Sequence, residues 1–292
     1  MYRQVRAVVR SPGFRAKPLR TLVLAASWLV VCFLLRRPVT IRVAPYDFRL
    51  RLPPLFGHQG STWIYVQREY YEPLLLGLGT FVRPGGVFID GGANQGIFTC
   101  AAARLCGPEG RVVAIEPQSY ARAALEQNIR LNGFRSVAIV PKALFDSEGT
   151  ALLDRSASAV SASIVRRFGE RETETVETTT LDRLVEELAL PRVDVIKLDV
   201  EGAELPALRG AARTIAACRP ILVLESLDPE SDDWAAATAL LAGQGYMMHL
   251  LDEAGRLQPC ARLAAGHPNV VFLPSAETAG GATVAAPAVA RA

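Results

Sequence analysis

Lysine, histidine and aromatic residues are scarce in this 292-residue chain: three of its 32 basic residues are Lys, there are three His, and aromatics make up 7%. So lopsided a choice of Arg over Lys reads as compositional bias rather than chemistry. Strong net charge is also missing. Basic and acidic residues number 32 and 29, and a formal charge of +3 argues against a nucleic-acid partner or an acidic tail. Cysteine is sparse and odd in number. Cys32, Cys100, Cys106, Cys218 and Cys260 match no zinc spacing and leave no complete disulfide framework, which predicts reduced thiols in a cytoplasmic setting. With half of its residues apolar, the chain is not of the disordered class and has material for a sizeable core.

Long apolar runs are limited to one, TLVLAASWLVVCFLL at 21–35, set between Arg20 and Arg36-Arg37-Pro38. As a helix it would rise about 22 Å, short of the roughly 30 Å hydrocarbon core, although Arg20 and Arg36 could snorkel. Arg-Arg-Pro is not the small-residue site of a cleaved signal peptide. Three readings stand: membrane association through residues 20–37, as an anchor or interfacial helix; a helix packed on the domain; or a misassigned start codon. Residues 1–46 hold nine basic residues and no acid, which leaves 23 basic against 29 acidic residues in the rest. The expected organisation is a basic leader over 1–37, a single domain over 38–273 and a disordered Ala/Gly/Pro tail over 274–292. Removing 1–37 is expected to leave a soluble acidic domain.

From Pro38 the pattern alternates, predicting two short strands joined near Ala44-Pro45 and then a Tyr-rich helix around Glu69–Leu78. After Arg83-Pro84-Gly85-Gly86, apolar runs at 87–90, 112–116, 137–140, 193–200, 220–225, 246–251 and 269–273 alternate with helical patterns at 96–105, 120–132, 204–218 and 232–241. The helix at 120–132 stacks Ala121, Leu125 and Ile129 and ends at Gly133. Continuous apolar strands between helices predict an α/β fold with a mostly parallel sheet covered on both faces. The Ser- and Thr-rich stretch at 149–180 predicts a β-hairpin or flap ahead of a helix at 180–188.

VFIDGGANQGIFTC, residues 87–100, puts Asp90 at the carboxyl end of the first strand of that sheet and Gly91, Gly92 and Gly96 before a helix. Ligands of doubly wound sheets bind at such ends. Read as Gly91-x-Ala93-x-x-Gly96, the turn approximates a dinucleotide loop, with Glu116 twenty residues past Gly96 as a ribose acid. Read as Asp90-x-Gly92-x-x-x-Gly96, it suits S-adenosylmethionine. Charge favours the second, because a carboxylate at the turn opposes a pyrophosphate and attracts an ammonium and a sulfonium. The bland alternative is a tight strand–helix turn capped by Asp90.

These blocks, with AIEP at 114–117, TTTLDRL at 178–184, VDVIKLDVEGAELPALRGA at 193–211 and PILVLE at 220–225, resemble the FkbM-type methyltransferases. The ordered match covers roughly residues 80 to 226. The resemblance implies a seven-stranded Rossmann-like methyltransferase sheet with helices on both faces, here preceded by a short β/α lead-in and an N-terminal apolar helix. It further implies S-adenosylmethionine as cofactor and O-methylation of a polyketide-like compound, sugar, glycan or other small molecule. The residues carried over to the donor are Asp90, Gly91, Gly92, Asn94, Gly96 and Glu116. Gly91 and Gln95 stand where the family commonly has aliphatic residues, and neither change removes a polar group.

A second group, Lys197, Asp199, Glu201 and Glu204, lies at and beyond the end of the VDVIKLD strand. In-line methyl transfer to oxygen needs alignment and a base. Asp199 leads as base or hydroxyl ligand, Glu201 follows, and Lys197 completes the set. The plainer readings make Lys197 a structural partner of Glu201 or another carboxylate, and Glu204 a helix-start acid. No metal is expected, since the additional Asp-Asn pair of catechol-type sites is missing, although Asp199 could ligate a divalent ion. Glu225 ranks lower. His249 reads as a core histidine, while His58 and His267 lie in polar loops. Trp63, Tyr65, Tyr70 and Tyr71 pack the lead-in or form a lid. Rival functions are an NAD-type oxidoreductase and a donor-binding scaffold. The acceptor, small molecule or glycan, would be chosen by 38–80 and 155–178.

Overall fold

A computed structural model describes residues 7–55, 60–154, 173–226, 228–261, 263 and 269–275. Past helical residues 7–10 come helices α1 (Pro12–Ala16) and α2 (Pro18–Leu29), the latter running on as a π-helical segment to Leu35. The lead-in follows: β1 (Val39–Val43) and β2 (Phe48–Leu52) pair antiparallel, and α3 (Ser61–Gln67) and α4 (Pro73–Gly77) come next. The predicted helix at Glu69–Leu78 is therefore not continuous. Pro73 disfavours helical geometry at the residue before it, and Glu72 is extended, with φ −148° and ψ 147°.

The main sheet takes β3 (Val87–Gly91), β4 (Arg111–Ile115) and β5 (Val137–Val140), with α5 (Ile97–Cys106) and α6 (Ser119–Asn132) between them. A small three-stranded sheet of β6 (Ala143–Leu144), β7 (Gly149–Asp154) and β8 (Thr173–Thr179) comes next, in the order β6-β8-β7. Its antiparallel β7–β8 pair fits the expected hairpin, while the flap tip at 155–172 lies outside the described residues, as do His58, His267 and the tail from 276. Then follow α7 (Leu181–Glu187), β9 (Val195–Leu198), α8 (Glu204–Arg209), α9 (Ala212–Cys218), β10 (Ile221–Glu225), α10 (Asp232–Gly243), β11 (Tyr246–Leu251), β12 (Leu257–Pro259) and β13 (Asn269–Pro274). The helix expected over 204–218 is two helices. Asp182 accepts the backbone N–H groups of Arg213 and Thr214, so a side chain distant in sequence caps a new first turn there.

The sheet order is β12-β11-β13-β10-β9-β3-β4-β5. Five neighbouring strands are parallel and β13 runs against them; the expected seven strands are present, extended by the three-residue edge strand β12. Two apolar clusters cover the faces. One joins Phe88 and α5 to the lead-in and to Trp28 and Val31 of the first helical segment; the other joins Ile89 and Ile196 to α7–α10. Trp28, 1% exposed, thus belongs to the core, which corrects the expectation that residues 1–37 can be removed harmlessly. None of the five cysteines is in a disulfide.

Candidate active site

Strand order reverses at β3, where β4 and β5 lie on one side and β9 and β10 on the other; this switch point is where open α/β sheets bind ligands. Asp90 and Lys197 are register partners across β3 and β9 and therefore share a face. Both are buried. Lys197 Nζ lies 2.8 Å from Asp199 Oδ2 and 3.8 Å from Asp90 Oδ1, with the Phe98 ring 5.0 Å away. Lys197 therefore pairs with Asp199 and Asp90 rather than Glu201. Residues two apart on a strand point the same way, while Glu201 lies beyond the strand in a turn at φ 54°. Burial alone would depress the Lys197 ammonium; Asp199 and Asp90 overcome it and hold the group above its ordinary value.

The glycine turn is built around its neighbours. Gly92 has φ +74°, and a Cβ there would sit 1.8 Å from the Asp199 carbonyl oxygen, so only glycine fits. Thr99 Oγ1 donates to Asp90 Oδ2 at 2.5 Å, and Asp90 Oδ1 is buried with no hydrogen-bond donor. Asn94, at φ 49°, donates its backbone N–H to Glu116 Oε2 at 2.7 Å, and Gln118 N–H reaches Glu116 Oε1 at 2.8 Å. Burial nevertheless pushes Glu116 up to about 7 and raises Asp90. The turn is held from behind. Gln95 Oε1 accepts from Ser61 Oγ, and its backbone carbonyl accepts from Asn128 of α6.

Beyond Asp199 the polar cluster extends to residues that sequence reasoning ranked low or missed. Glu225, at the end of β10, hydrogen-bonds Asp199; burial and the Asp199 charge push it up to about 10, so it carries the shared proton. Burial, Asp199 and Glu204 raise Glu201 to about 7, and burial with Asp199 does the same to Glu72. Glu72 accepts from Asn269 Nδ2 at 2.6 Å and from the buried Tyr71 hydroxyl. Among the described residues, Asp199, Glu201 and Glu225 each offer an oxygen within 4.8 Å of the others. Glu204 is structural, accepting the N–H groups of Val200 and Gly202. His249 faces the Met247 carbonyl at 3.0 Å. Thr99 lies nine residues past Asp90, and Glu72 sits just before a helix; the only signal for either was an unexplained polar side chain beside an apolar run.

The residues present fit an S-adenosylmethionine-type donor: Asp90 Oδ1 lacks a hydrogen-bond donor, and each Glu116 oxygen keeps a lone pair beyond its backbone bond. A mostly parallel sheet with a glycine turn and buried acids at its switch point defines a Rossmann-like α/β protein with a ligand site at the strand ends. The "Methyltransferase FkbM domain" family matches residues 90–255, more than half of the chain, and the chain belongs to that family. It is 27% identical over 138 residues to the hexuronic acid methyltransferase AglP of Haloferax volcanii, covering 47% of this chain and 54% of that protein. It thus spans about half the length of that relative. Among solved structures, an FkbM methyltransferase of Methylobacillus flagellatus aligns with TM-score 0.44 at 14% identity, over 89% of this chain and 60% of the other. Fibrillarin of Aeropyrum pernix, solved with natively bound S-adenosyl-L-methionine, aligns with TM-score 0.44 at 14% identity, over 70% and 74%.

Proposed function

We propose that this methyltransferase takes its methyl group from S-adenosylmethionine and delivers it to an oxygen of a hydroxylated small molecule or glycan. The observation that carries the reading is Asp90 Oδ1, a buried acceptor without a donor at the switch point. The donor's ammonium group supplies what that oxygen lacks, and Glu116 can take both ribose hydroxyls. A pyrophosphate would instead meet Asp90, Asp199 and Glu201, so the same acids count against a dinucleotide. The likeness to a hexuronic acid methyltransferase supports a sugar-like acceptor.

When bound, the donor supplies an electrophilic methyl carbon on a sulfonium. Transfer would form the carbon–oxygen bond as the carbon–sulfur bond breaks and a neutral thioether leaves, and the acceptor's hydroxyl proton must pass to a base. Asp199 is held ionised by Lys197 and is a weak base; Glu201, raised to about 7, is matched to neutral pH. We therefore assign proton acceptance to Glu201 and alignment of the hydroxyl to Asp199. Glu201 also holds a left-handed backbone conformation uncommon for a non-glycine residue. Calorimetric titration with S-adenosylmethionine and with NAD, then labelled methyl transfer to hexuronic acids and other hydroxylated acceptors, tests the reading. Saturable binding of NAD alone overturns it, and donor binding without transfer to any acceptor favours a scaffold.

A further inference from the structure

The helical segment Pro18–Leu35 has two apolar sides, and the domain uses one. On that side Trp28 stacks on Tyr65 with ring centroids 4.6 Å apart and donates from Nε1 to Thr62 Oγ1 at 2.8 Å. Arg20 clamps both oxygens of Glu69, at 2.5 and 3.0 Å. On the other side Leu19 is 80% exposed, Val23 67% and Leu34 76%, with Leu22, Leu29 and Val30 also open. At about 100° per residue, Leu19, Leu22, Val23, Ala26, Leu29 and Val30 fall within an arc of about 120°, turned away from Thr21 and Trp28. A continuous apolar stripe of this length is unusual on a surface that meets only water.

The stretch of chain that carries the stripe has charge of one sign. No acid occurs among residues 1–46. Arg15 is paired with Glu253, and Lys17 and Arg20 with Glu69. Arg10 near one end and Arg36 and Arg37 at the other are exposed and form no ion pair among the described residues. An apolar stripe between unpaired arginines complements an anionic lipid surface, with side chains entering the acyl boundary and guanidinium groups meeting headgroups. Crossing the bilayer is a different matter. The helix is long and apolar enough by composition, but its inner flank is packed on Thr62, Tyr65 and Glu69 of the domain, so spanning would carry that part of the domain into the hydrocarbon.

We propose that the outer face of residues 18–35 docks in the plane of an anionic bilayer, holding the enzyme on the membrane surface. The surface reaches the donor turn through few contacts: Trp28 holds α3 at Thr62, and Ser61 of α3 donates to Gln95 of the turn.

The test is flotation of the full-length chain with vesicles of phosphatidylcholine alone and of phosphatidylcholine mixed equally with phosphatidylglycerol. Binding is expected to the anionic vesicles and to weaken with salt. The triple variant Leu19→Gln, Val23→Gln, Leu34→Gln should lower partitioning by about tenfold or more, with circular dichroism and unfolding temperature confirming that it folds. The pair Arg36→Gln, Arg37→Gln should reduce binding and its salt dependence. A folded wild-type chain that ignores both vesicles overturns the proposal, as does binding insensitive to the triple variant. A dimer in light scattering that the triple variant dissociates, without vesicle binding, makes the face an interface between two copies. Protein that resists carbonate extraction from membranes makes the helix a span and overturns the in-plane geometry.

Discussion

At the carboxyl ends of β3, β4 and β9, Asp90, Glu116 and Lys197 sit out of water, while Leu19, Val23 and Leu34, along the outer face of the helical segment Pro18–Leu35, sit in it. Charged residues are ordinarily outside and a run of large apolar residues inside, so both regions invert the usual partition, in opposite senses. The difference lies in how each is compensated. The buried charges answer one another, Lys197 to Asp199 and Asp90 and Glu225 to Asp199, and leave a few acceptors open, Asp90 Oδ1 among them. The outer face of α2 has no such internal answer, and its partner must come from outside the chain.

The largest effect should come from removing the shared cation. Lys197→Met leaves the buried Asp90 beside the partly buried Asp199 without a counter-charge, and urea unfolding should show a loss of about 3 kcal/mol. Unchanged stability would mean that the inner region is not held by its charges. The same region should respond to pH. Glu72, Glu116 and Glu201 are raised from 4.5 to about 7, so the folded chain binds more protons than the unfolded chain between those values. Their contribution to stability is complete below about pH 4.5 and is lost as pH rises through about 7. Donor affinity should move the other way over that window, since Glu116 accepts hydrogen bonds better as a carboxylate; parallel pH series of unfolding and calorimetry check both signs.

The helical segment Pro18–Leu35 allows the contrast to be drawn along one stretch of chain. Trp28→Ala, on the inner side, should cost about 3 kcal/mol or more, whereas Leu34→Gln, on the outer side, should change stability by about 0.5 kcal/mol or less. Equal costs would show that both sides are packed. At the donor site, Asp90→Asn removes a charge-assisted hydrogen bond of about 1.5 to 3 kcal/mol, so S-adenosylmethionine should bind about tenfold to a hundredfold more weakly in calorimetry. Stability should change less than in Lys197→Met, because Lys197 keeps Asp199.

Much of the sheet was legible because its strands are continuous apolar runs, and the donor turn because Asp90, Gly92 and Gly96 mark a strand end, although the glycines are required by the chain's own Asp199 carbonyl and Leu125 side chain. The pairing of Lys197 with Asp199 was equally open to reading, since residues two apart share a strand face. What stayed hidden depends on contacts between distant segments. Asp182 splits the helix over 204–218, and no periodicity records a cap supplied from thirty residues away. Glu72 looked like a polar residue before Pro73, yet the fold carries it to Asn269 and into reach of the Asp199 charge. The two-sidedness of α2 was hidden because a helix apolar all round has no polar side to mark which half meets the domain.

The smallest effect concerns the three carboxylates Asp199, Glu201 and Glu225, whose oxygens lie close enough to hold a cation. Two features compete with an ion there. Lys197 Nζ already lies 2.8 Å from Asp199, and Glu225, raised to about 10, brings a proton where a metal site would need a second carboxylate. A divalent ion would have to displace that proton at neutral pH. Treatment with EDTA followed by desalting should therefore change methyl transfer by less than about twofold, and added Mg²⁺ should not raise it. Loss of turnover on chelation with recovery on Mg²⁺ would make the group a metal site, and the inner region would then depend on an outside partner just as the outer face of α2 does.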